Sequence, residues 1–228
     1  MPSCAVLFAK DPVAGQVKTR LQPALSAAEA AAVYGAFVWD CAAAVAAADV
    51  DRRVVACAPA GATGNLRRLL EPLGAFDFVE QAAGDLGARM EAAVRDSCAA
   101  GATRTVIVGS DSPSLPPAAI ESGLEQLRRV DVVLGPSTDG GYYLIGMRQP
   151  EAGLFGDIAW STGAVLEQTL AALRPETSLA VLAPWYDVDT PGEAFLLRTH
   201  LAALERAGQG RAASSLAALR GLTLPPPS

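Results

Sequence analysis

Two residues, Lys10 and Lys18, are the only lysines of the 228-residue chain, and both lie in one loop after the first predicted strand. Every other residue with a fixed positive charge is an arginine. Lysine is a compact, flexible point charge, whereas arginine is a wide planar fork, so lysine suits a loop that follows a moving phosphate. Because Gly15 and Arg20 lie beside them, we expect this loop to bind a polyphosphate. The alternative is that two lysines share a surface loop by chance.

This loop differs from the common P-loop. A Walker A motif needs a glycine directly before its Lys-Thr pair, and Val17 precedes Lys18 and Thr19 here. The sequence therefore indicates a different phosphate-binding loop.

Aspartates follow the later predicted strands. Asp111 comes directly after a buried apolar strand, and Asp187 and Asp189 precede a capped helix. Such carboxylates can hold Mg²⁺ or Mn²⁺, which favour oxygen ligands. We expect Asp111 to bind the metal, with Asp189 or Asp187 as the second ligand. The alternatives are that Asp111 caps a helix and that Asp189 is a turn residue.

Two further segments allow two interpretations each. The run Asp139-Gly140-Gly141-Tyr142 could line a sugar or base site, because glycines let the backbone approach a ligand, or it could be an ordinary tight turn. The segment from Gln81 to Arg89 could read a nucleobase edge and reach a phosphate, or it could be a capped helix start with an exposed arginine.

The elements that position these residues alternate between strands and helices. Short apolar runs predict strands at 4–9, 53–58, 76–80, 105–109, 131–135, 142–147 and 179–183. Helices are predicted at 26–48, 62–73, 86–100, 116–129, 162–173 and 191–206, two of them with capping boxes at Ser26 and Thr190. This order predicts an α/β fold of three layers, α/β/α, with a mostly parallel sheet. Ligands of such sheets bind at the carboxyl ends of the strands, where all the residues singled out above lie.

Composition narrows the class of protein. A net charge of −6 argues against a nucleic-acid or membrane surface, and the alanine-rich stretch 27–48 is interrupted by charges, so we expect no membrane span. No signal peptide is predicted, and four scattered cysteines indicate core residues in a reducing cytoplasm. The single histidine, His200, argues against zinc or triad chemistry. We expect one domain over 1–207 and a poorly ordered tail over 208–228.

Taken in order, these motifs resemble those of the nucleotide-diphospho-sugar transferase superfamily with the GT-A fold. Within it the chain resembles the bacterial family DUF2064, the arsenosugar-biosynthesis-type glycosyltransferases. The matching blocks start at Phe8, Gln81, Gly109, Leu134, Trp160 and Asp187 and together span residues 8–191. More distantly, the chain is similar to guanylyl- and cytidylyltransferases.

The resemblance implies a role for each block. It implies a divalent metal, Mg²⁺ or Mn²⁺, on Asp111. The chemistry of the residues adds Asp189 as a metal ligand and predicts catalytic roles for Lys18, Asp111 and Asp139. A nucleotide or nucleotide-sugar would be held by Phe8, Ala9, Lys10, Gly15, Lys18, Thr19, Arg20, Gln81, Gly84, Gly87 and Arg89. A small-molecule acceptor would contact Gly140, Gly141, Tyr142, Trp160, Ser161 and Thr162.

Three functions follow as hypotheses. The first is a metal-dependent glycosyltransferase that uses a nucleotide-diphospho-sugar. The second is a nucleotidyltransferase that joins a nucleoside triphosphate to a small phosphorylated substrate and releases pyrophosphate. It stays open because the metal motif is Ser110-Asp111-Ser112 and not the Asp-x-Asp of many GT-A glycosyltransferases. The third is a non-catalytic nucleotide-binding regulatory domain. The base, the sugar, the acceptor and the oligomeric state, including a homo-oligomer, are left open.

Overall fold

Seven strands form a single mixed sheet in the spatial order β3-β2-β1-β4-β6-β5-β7. The computed structural model describes residues 2–74 and 76–226. The strands are β1 (Ser3–Lys10), β2 (Arg52–Ala58), β3 (Asp77–Glu80), β4 (Arg104–Val108), β5 (Val132–Pro136), β6 (Tyr142–Met147) and β7 (Leu179–Val181). Every pairing is parallel except those of β6, which runs antiparallel to both β4 and β5.

Helices cover both faces of this sheet. They are α1 (Ala27–Ala47), α2 (Thr63–Leu70), α3 (Leu86–Ala99), α4 (Pro117–Gln126), α5 (Val165–Ala172), α6 (Pro191–Arg206) and α7 (Ala213–Leu219). Alternate residues of β1 face opposite ways: Leu7 packs in one core cluster with α1, and Val6 packs in another with α3. The predicted three-layer α/β fold with a mostly parallel sheet is confirmed.

Both predicted capping boxes are present. The Ser26 hydroxyl accepts a hydrogen bond from the backbone N–H of Glu29, whose carboxylate accepts from the Ser26 N–H. Thr190 and Glu193 form the same reciprocal pair at the start of α6. Because the Glu193 carboxylate also accepts from the backbone N–H of Asp189 at 2.7 Å, this cap fixes the segment that carries a candidate metal ligand.

Helix α1 is long and apolar enough, by length and composition, to cross a membrane. The expectation that no segment approaches a span is therefore wrong on that criterion, because alanines outweigh the interrupting charges. In the fold, 56% of its most apolar window is buried. Fully buried side chains such as Phe37 and Val38 make α1 a core helix of this fold.

The C-terminal segment contains a short helix that the sequence did not predict. Residues 213–219 form α7, which packs on α1 and α6. The buried carboxylate of Asp40 accepts hydrogen bonds from the backbone N–H of Ser215 at 2.6 Å and from its hydroxyl at 2.5 Å. The sequence predicted no helix in this segment, and a buried partner on α1 holds α7 in place. Residues 227 and 228 of the predicted tail lie outside the described residues.

The sheet order creates a crevice at the carboxyl end of β1. Strand β1 pairs with β2 on one side and with β4 on the other, so the chain leaves β1 and β4 in opposite directions across the sheet. Open α/β sheets bind ligands at such a switch point. The loops after β1 and β4 both begin there.

Candidate active site

A cleft of about 670 Å³ opens at the carboxyl edge of the sheet. The loops after β1, β4 and β5, the start of α3, the segment before α5 and the segment before α6 all contribute to its lining. It therefore gathers residues from nearly the whole length of the chain. Most of the residues predicted for the site lie in this cleft.

Lys18 lies at the centre of the carboxylate cluster, and its side chain is only 4% exposed. Its ammonium lies 2.5 Å from the Asp111 carboxylate and 2.7 Å from that of Asp189. It also donates to the backbone carbonyl of Val188 at 2.7 Å. An ammonium has three hydrogens, and these three acceptors account for all of them. This setting differs from the flexible, phosphate-following charge that we expected.

Aromatic rings explain the burial of this charge. The Lys18 ammonium lies 5.9 Å from the centre of the Tyr34 ring and 5.7 Å from that of Phe37, both on α1. Cation–π attraction favours such placement. Burial opposes the charge, but the carboxylates of Asp111 and Asp189 outweigh this effect, so the pKa of Lys18 is raised. The two carboxylates therefore favour the charged form of Lys18.

Tyr34 joins the first loop to the loop after β4. Its hydroxyl lies 2.8 Å from the Ser110 hydroxyl and accepts from the backbone N–H of Lys10 at 3.0 Å. Burial, reinforced by the Asp111 charge, raises the pKa of Tyr34 to about 12. The neutral phenol thus links two of the loops that line the cleft through its hydrogen bonds.

The remaining carboxylates of the cluster differ in exposure. Asp187 is buried, and its Oδ1 atom has no hydrogen-bond partner among the described residues. Burial, with the nearby charge of Asp139, raises the pKa of Asp187 to about 6. Asp139 is exposed and accepts from the backbone N–H of Gly141 at 2.8 Å. One oxygen of Asp139 is therefore committed to the turn.

The candidate ligands for a divalent metal in this cleft are carboxylate oxygens. Within residues 2–74 and 76–226, no three His, Cys, Asp or Glu side chains form a ready cation cluster. Mg²⁺ is usually held by one or two carboxylates together with substrate phosphates, so Asp111 and Asp189 are a sufficient donor set. The unpartnered oxygen of buried Asp187 beside them is the kind of group that a cation or its water would satisfy.

The other part of the cleft carries exposed cations. Lys10 is exposed at the end of β1, and the structure pairs it with no described carboxylate. Arg20 is 64% exposed and reaches Asp189 only at 3.4 Å. Arg89 donates to the Gly84 carbonyl at 2.9 Å, and its NH1 atom lies 3.5 Å from the Gln81 carbonyl oxygen.

Gln81 is already committed on one side. Its amide nitrogen donates to the backbone carbonyl of Ala56 at 2.9 Å, which leaves its oxygen facing Arg89. The exposed apolar side chain of Leu86 lies beside this pair in the cleft lining. This group offers an apolar face and polar edges near the exposed cations.

The predicted acceptor residues meet at a tightly packed turn. Gly140 has φ +88°, and a Cβ atom there would collide with the backbone of Gly163. Trp160 packs against Phe155 with ring centres 6.2 Å apart. Thr162 donates to the Ala159 carbonyl at 2.7 Å, so this turn delays the predicted helix at 162, and α5 begins at Val165.

Four predicted site glycines do not line the cleft: Gly15, Gly84, Gly87 and Gly140. Gly87 and Gly140 act through packing instead, because a Cβ atom on Gly87 would lie 2.8 Å from the Trp160 ring. The remaining predicted residues all line it: Phe8, Ala9, Lys10, Lys18, Thr19, Arg20, Gln81, Arg89, Asp111, Asp139, Gly141, Tyr142, Trp160, Ser161, Thr162 and Asp189.

Sequence reasoning missed Tyr34, Ser110 and Ser137 among the lining residues. Tyr34 lies within an alanine-rich helix, where an aromatic residue is usually only a core residue. No local pattern could have shown that its hydroxyl meets Ser110, 76 positions away.

Comparison with known proteins gives matches over most of the chain. The family described as "Uncharacterized protein conserved in bacteria (DUF2064)" matches residues 41–162. The chain is 31% identical over 163 residues to a 2-phospho-L-lactate guanylyltransferase of Methanothermobacter thermautotrophicus, which covers 70% of this chain and 69% of that protein.

Solved structures extend the similarity to the whole fold. A protein of Desulfovibrio desulfuricans, named provisionally as a nucleotide-diphospho-sugar transferase, is 31% identical, has a TM-score of 0.85 and covers 96% of this chain and 95% of its own. A nucleotidyl transferase from Methanothermobacter has 17% identity and a TM-score of 0.55, with 87% and 97% covered. At 17% identity, the similarity to the Methanothermobacter protein supports the fold alone.

Proposed function

The chain belongs to the DUF2064 family, and we propose that it is a transferase that moves a sugar from a nucleotide-diphospho-sugar to a hydroxyl-bearing acceptor. The two relatives with 31% identity are named as transferases of nucleotide-activated groups, which supports the class of enzyme. The choice of a sugar donor and a hydroxyl acceptor depends on the charges of the cleft.

The positively and negatively charged residues that line the cleft come from different parts of the sequence. Among the described residues, every lining lysine or arginine lies at or before residue 89: Lys10, Lys18, Arg20 and Arg89. Every lining carboxylate lies at or after residue 111: Asp111, Asp139, Asp187 and Asp189. The segment from Asp139 to Thr162, on which the acceptor would lie, contributes a carboxylate and no lysine or arginine to the lining. This division is the observation that favours an acceptor without phosphate.

The donor fits the cationic part of the cleft. Lys10 and Arg20 are exposed cations that can contact the diphosphate, together with the backbone of Phe8, Ala9 and Thr19. The base would lie on the Gln81–Arg89 segment, against the exposed side chain of Leu86. Gly87 lets this segment pack closely on Trp160, which lines the same cleft.

The metal fits the carboxylate part of the cleft. We infer that Asp111 and Asp189 hold Mg²⁺ or Mn²⁺. The unpartnered oxygen of Asp187 would bind the ion or one of its waters. Asp111 is suited to this because its side chain is 49% exposed while Lys18 holds only one of its oxygens. When bound, the ion would neutralise charge on the leaving diphosphate.

The chain's own residues would position the reacting groups. The acceptor oxygen forms a bond to C1 of the sugar as the bond from C1 to the diphosphate oxygen breaks, and the nucleoside diphosphate leaves with that electron pair. The acceptor proton moves to the free oxygen of Asp139, which lies in the cleft on the predicted acceptor segment. Trp160 and Tyr142 would enclose the acceptor, with Gly141, Ser161 and Thr162 around it.

A second candidate function is nucleotidyl transfer. The relative named as a 2-phospho-L-lactate guanylyltransferase favours it. In this reaction an acceptor phosphate oxygen attacks the α-phosphorus of a nucleoside triphosphate, and pyrophosphate leaves. That attacking group needs cations around it, and the acceptor segment of this cleft supplies a carboxylate.

The phosphorus product separates these functions. The protein is incubated with Mn²⁺, a panel of nucleotide-sugars or nucleoside triphosphates, and matched acceptors such as glycerol and glycerol 3-phosphate, and products are followed by ³¹P NMR. We expect nucleoside diphosphate from a nucleotide-sugar with an unphosphorylated acceptor. Pyrophosphate formed with a phosphorylated acceptor would establish nucleotidyl transfer instead. Nucleotide binding without any product would indicate a regulatory domain.

We also propose a cytoplasmic enzyme without nucleic-acid partners. The net charge of −6 and the free cysteines support this proposal. Three of the cysteines are buried: Cys4, Cys41 and Cys57. His200, on α6, hydrogen-bonds to the Tyr186 hydroxyl at 2.6 Å, and this contact supports a packing role for the histidine.

A further inference from the structure

Lys18 occupies the place where a cation is needed between two candidate metal ligands. Its ammonium bridges Oδ1 of Asp111 and Oδ1 of Asp189, which belong to segments 78 positions apart in the chain. The segments are also tied by a backbone hydrogen bond from the Val188 N–H to the Asp111 carbonyl at 2.9 Å. In the free protein, one ammonium therefore already compensates part of the negative charge that would attract a divalent ion.

This lysine is held firmly in that place. Three acceptors saturate its ammonium, two aromatic rings cover it, and its backbone adopts the left-handed conformation with φ +46°. A residue other than glycine in that conformation costs free energy, so the surrounding contacts must enforce it. One of these contacts is the hydrogen bond from the Leu21 N–H to the Lys18 carbonyl at 2.9 Å, which fixes the turn from which the side chain reaches Asp111 and Asp189.

We propose that Lys18 is a resident counter-cation that positions the two metal-binding carboxylates and keeps the metal affinity of the free protein low. An incoming Mn²⁺ must share Asp111 and Asp189 with a buried ammonium that already bonds to both of them. Electrostatic repulsion at such short range is strong away from bulk water. Lys18 is then a positioning residue that acts through the carboxylates.

The same arrangement implies that metal and nucleotide enter together. The diphosphate of the donor brings negative charge to the cluster and offsets the combined positive charge of Lys18 and the metal. Nucleotide therefore raises the affinity for Mn²⁺, and by linkage Mn²⁺ raises the affinity for nucleotide by the same factor. This inference rests on the metal site of the proposed function.

The test is the dissociation constant of Mn²⁺ measured by electron paramagnetic resonance, in which bound Mn²⁺ loses its sharp signal. It is measured for the wild type and for Lys18→Met, without nucleotide and with UDP, GDP, CDP or ADP in turn. We expect Lys18→Met to bind Mn²⁺ about tenfold tighter than the wild type without nucleotide, because the competing cation is gone. The effect of the nucleotide on Mn²⁺ affinity should shrink in this variant.

Two variants control the measurement. Arg52→Met also removes a cation paired with an aspartate, because Arg52 lies 2.7 Å from Asp77, but at the far end of β2. Its Mn²⁺ affinity should equal that of the wild type. Lys18→Arg keeps the charge and should keep the weak metal binding. If Lys18→Met does not fold, Lys18→Gln, which can still donate to the Val188 carbonyl, replaces it with the same expected result.

The outcomes separate the inference from the proposed function. Wild-type protein that binds Mn²⁺ with a nucleotide, together with a Lys18→Met variant of unchanged or weaker affinity, overturns the role of Lys18 alone. Equal tightening in Lys18→Arg overturns it too, since charge would not be the cause. Wild-type protein that binds no Mn²⁺ with any nucleotide overturns both the inference and the metal site.

Discussion

The two parts of the cleft handle charge in opposite ways. In the carboxylate part, the buried ammonium of Lys18 is held by Asp111 and Asp189, whose side chains are 49% and 30% exposed. In the cationic part, Lys10 and Arg20 are exposed and at most loosely paired. Preorganised groups cost little reorganisation when a reaction occurs, whereas exposed flexible cations can adapt to a ligand. Under the proposed function, the carboxylate part would perform the chemistry and the cationic part would capture the donor.

Loss of a carboxylate should have the largest effect on this contrast. We expect Asp111→Asn to lower turnover about a hundredfold or more, because electrostatic stabilisation at the reacting centre carries effects of that size. Initial rates of nucleoside diphosphate release measure it. Asp96→Asn, an exposed change on α3, is the control and should keep the wild-type rate. Wild-type turnover in Asp111→Asn would remove Asp111 from the site.

The packing of the two parts can be compared through glycines with similar backbone angles. Gly140 and Gly15 have φ +88° and +80°, but an added Cβ atom collides with Gly163 only at Gly140. We expect Gly140→Ala to lower the free energy of unfolding by about 2–4 kcal/mol and Gly15→Ala by about 1–2 kcal/mol. Urea unfolding gives both values. Equal losses would show that the acceptor turn is no more constrained than the first loop.

Removal of an exposed cation should have the smallest effect. Lys10→Met should raise KM for the nucleotide-sugar about tenfold and leave kcat nearly unchanged, as expected for the loss of one charge-assisted contact. Steady-state kinetics at low and high salt check this, since the defect should shrink at high salt. Arg129→Met removes an exposed cation outside the cleft and should behave as the wild type. A fall in kcat without a change in KM would show that Lys10 acts in the chemical step and not in binding of the donor.

Local patterns predicted the framework of the site. The apolar runs gave the seven strands, and the reciprocal Ser26–Glu29 and Thr190–Glu193 pairs gave the starts of α1 and α6. The rule that ligands bind at the carboxyl ends of strands placed Asp111, Asp139 and Asp189 at one edge, and they line one cleft. These features depend on residues that are close in sequence or on general sheet geometry.

The features that could not be predicted depend on distant contacts. Lys18 is buried because it meets residues 170 and 171 positions away and two rings on α1. Helix α7 is ordered because Ser215 meets Asp40, 175 positions earlier. No window of the sequence contains these pairs, so composition suggested a mobile lysine and a loose tail.

The proposed function depends most directly on a metal-dependent nucleotide site that involves Asp111. The decisive measurement is a thermal-shift series on the wild type and Asp111→Asn with UDP- and GDP-sugars, with and without Mn²⁺. A ligand at a hundred times its dissociation constant stabilises the native state by about 2.7 kcal/mol, so binding gives a clear rise in Tm. We predict a rise that requires Mn²⁺ and is lost in Asp111→Asn. An equal rise without metal, or no rise with any nucleotide-sugar, would contradict the account.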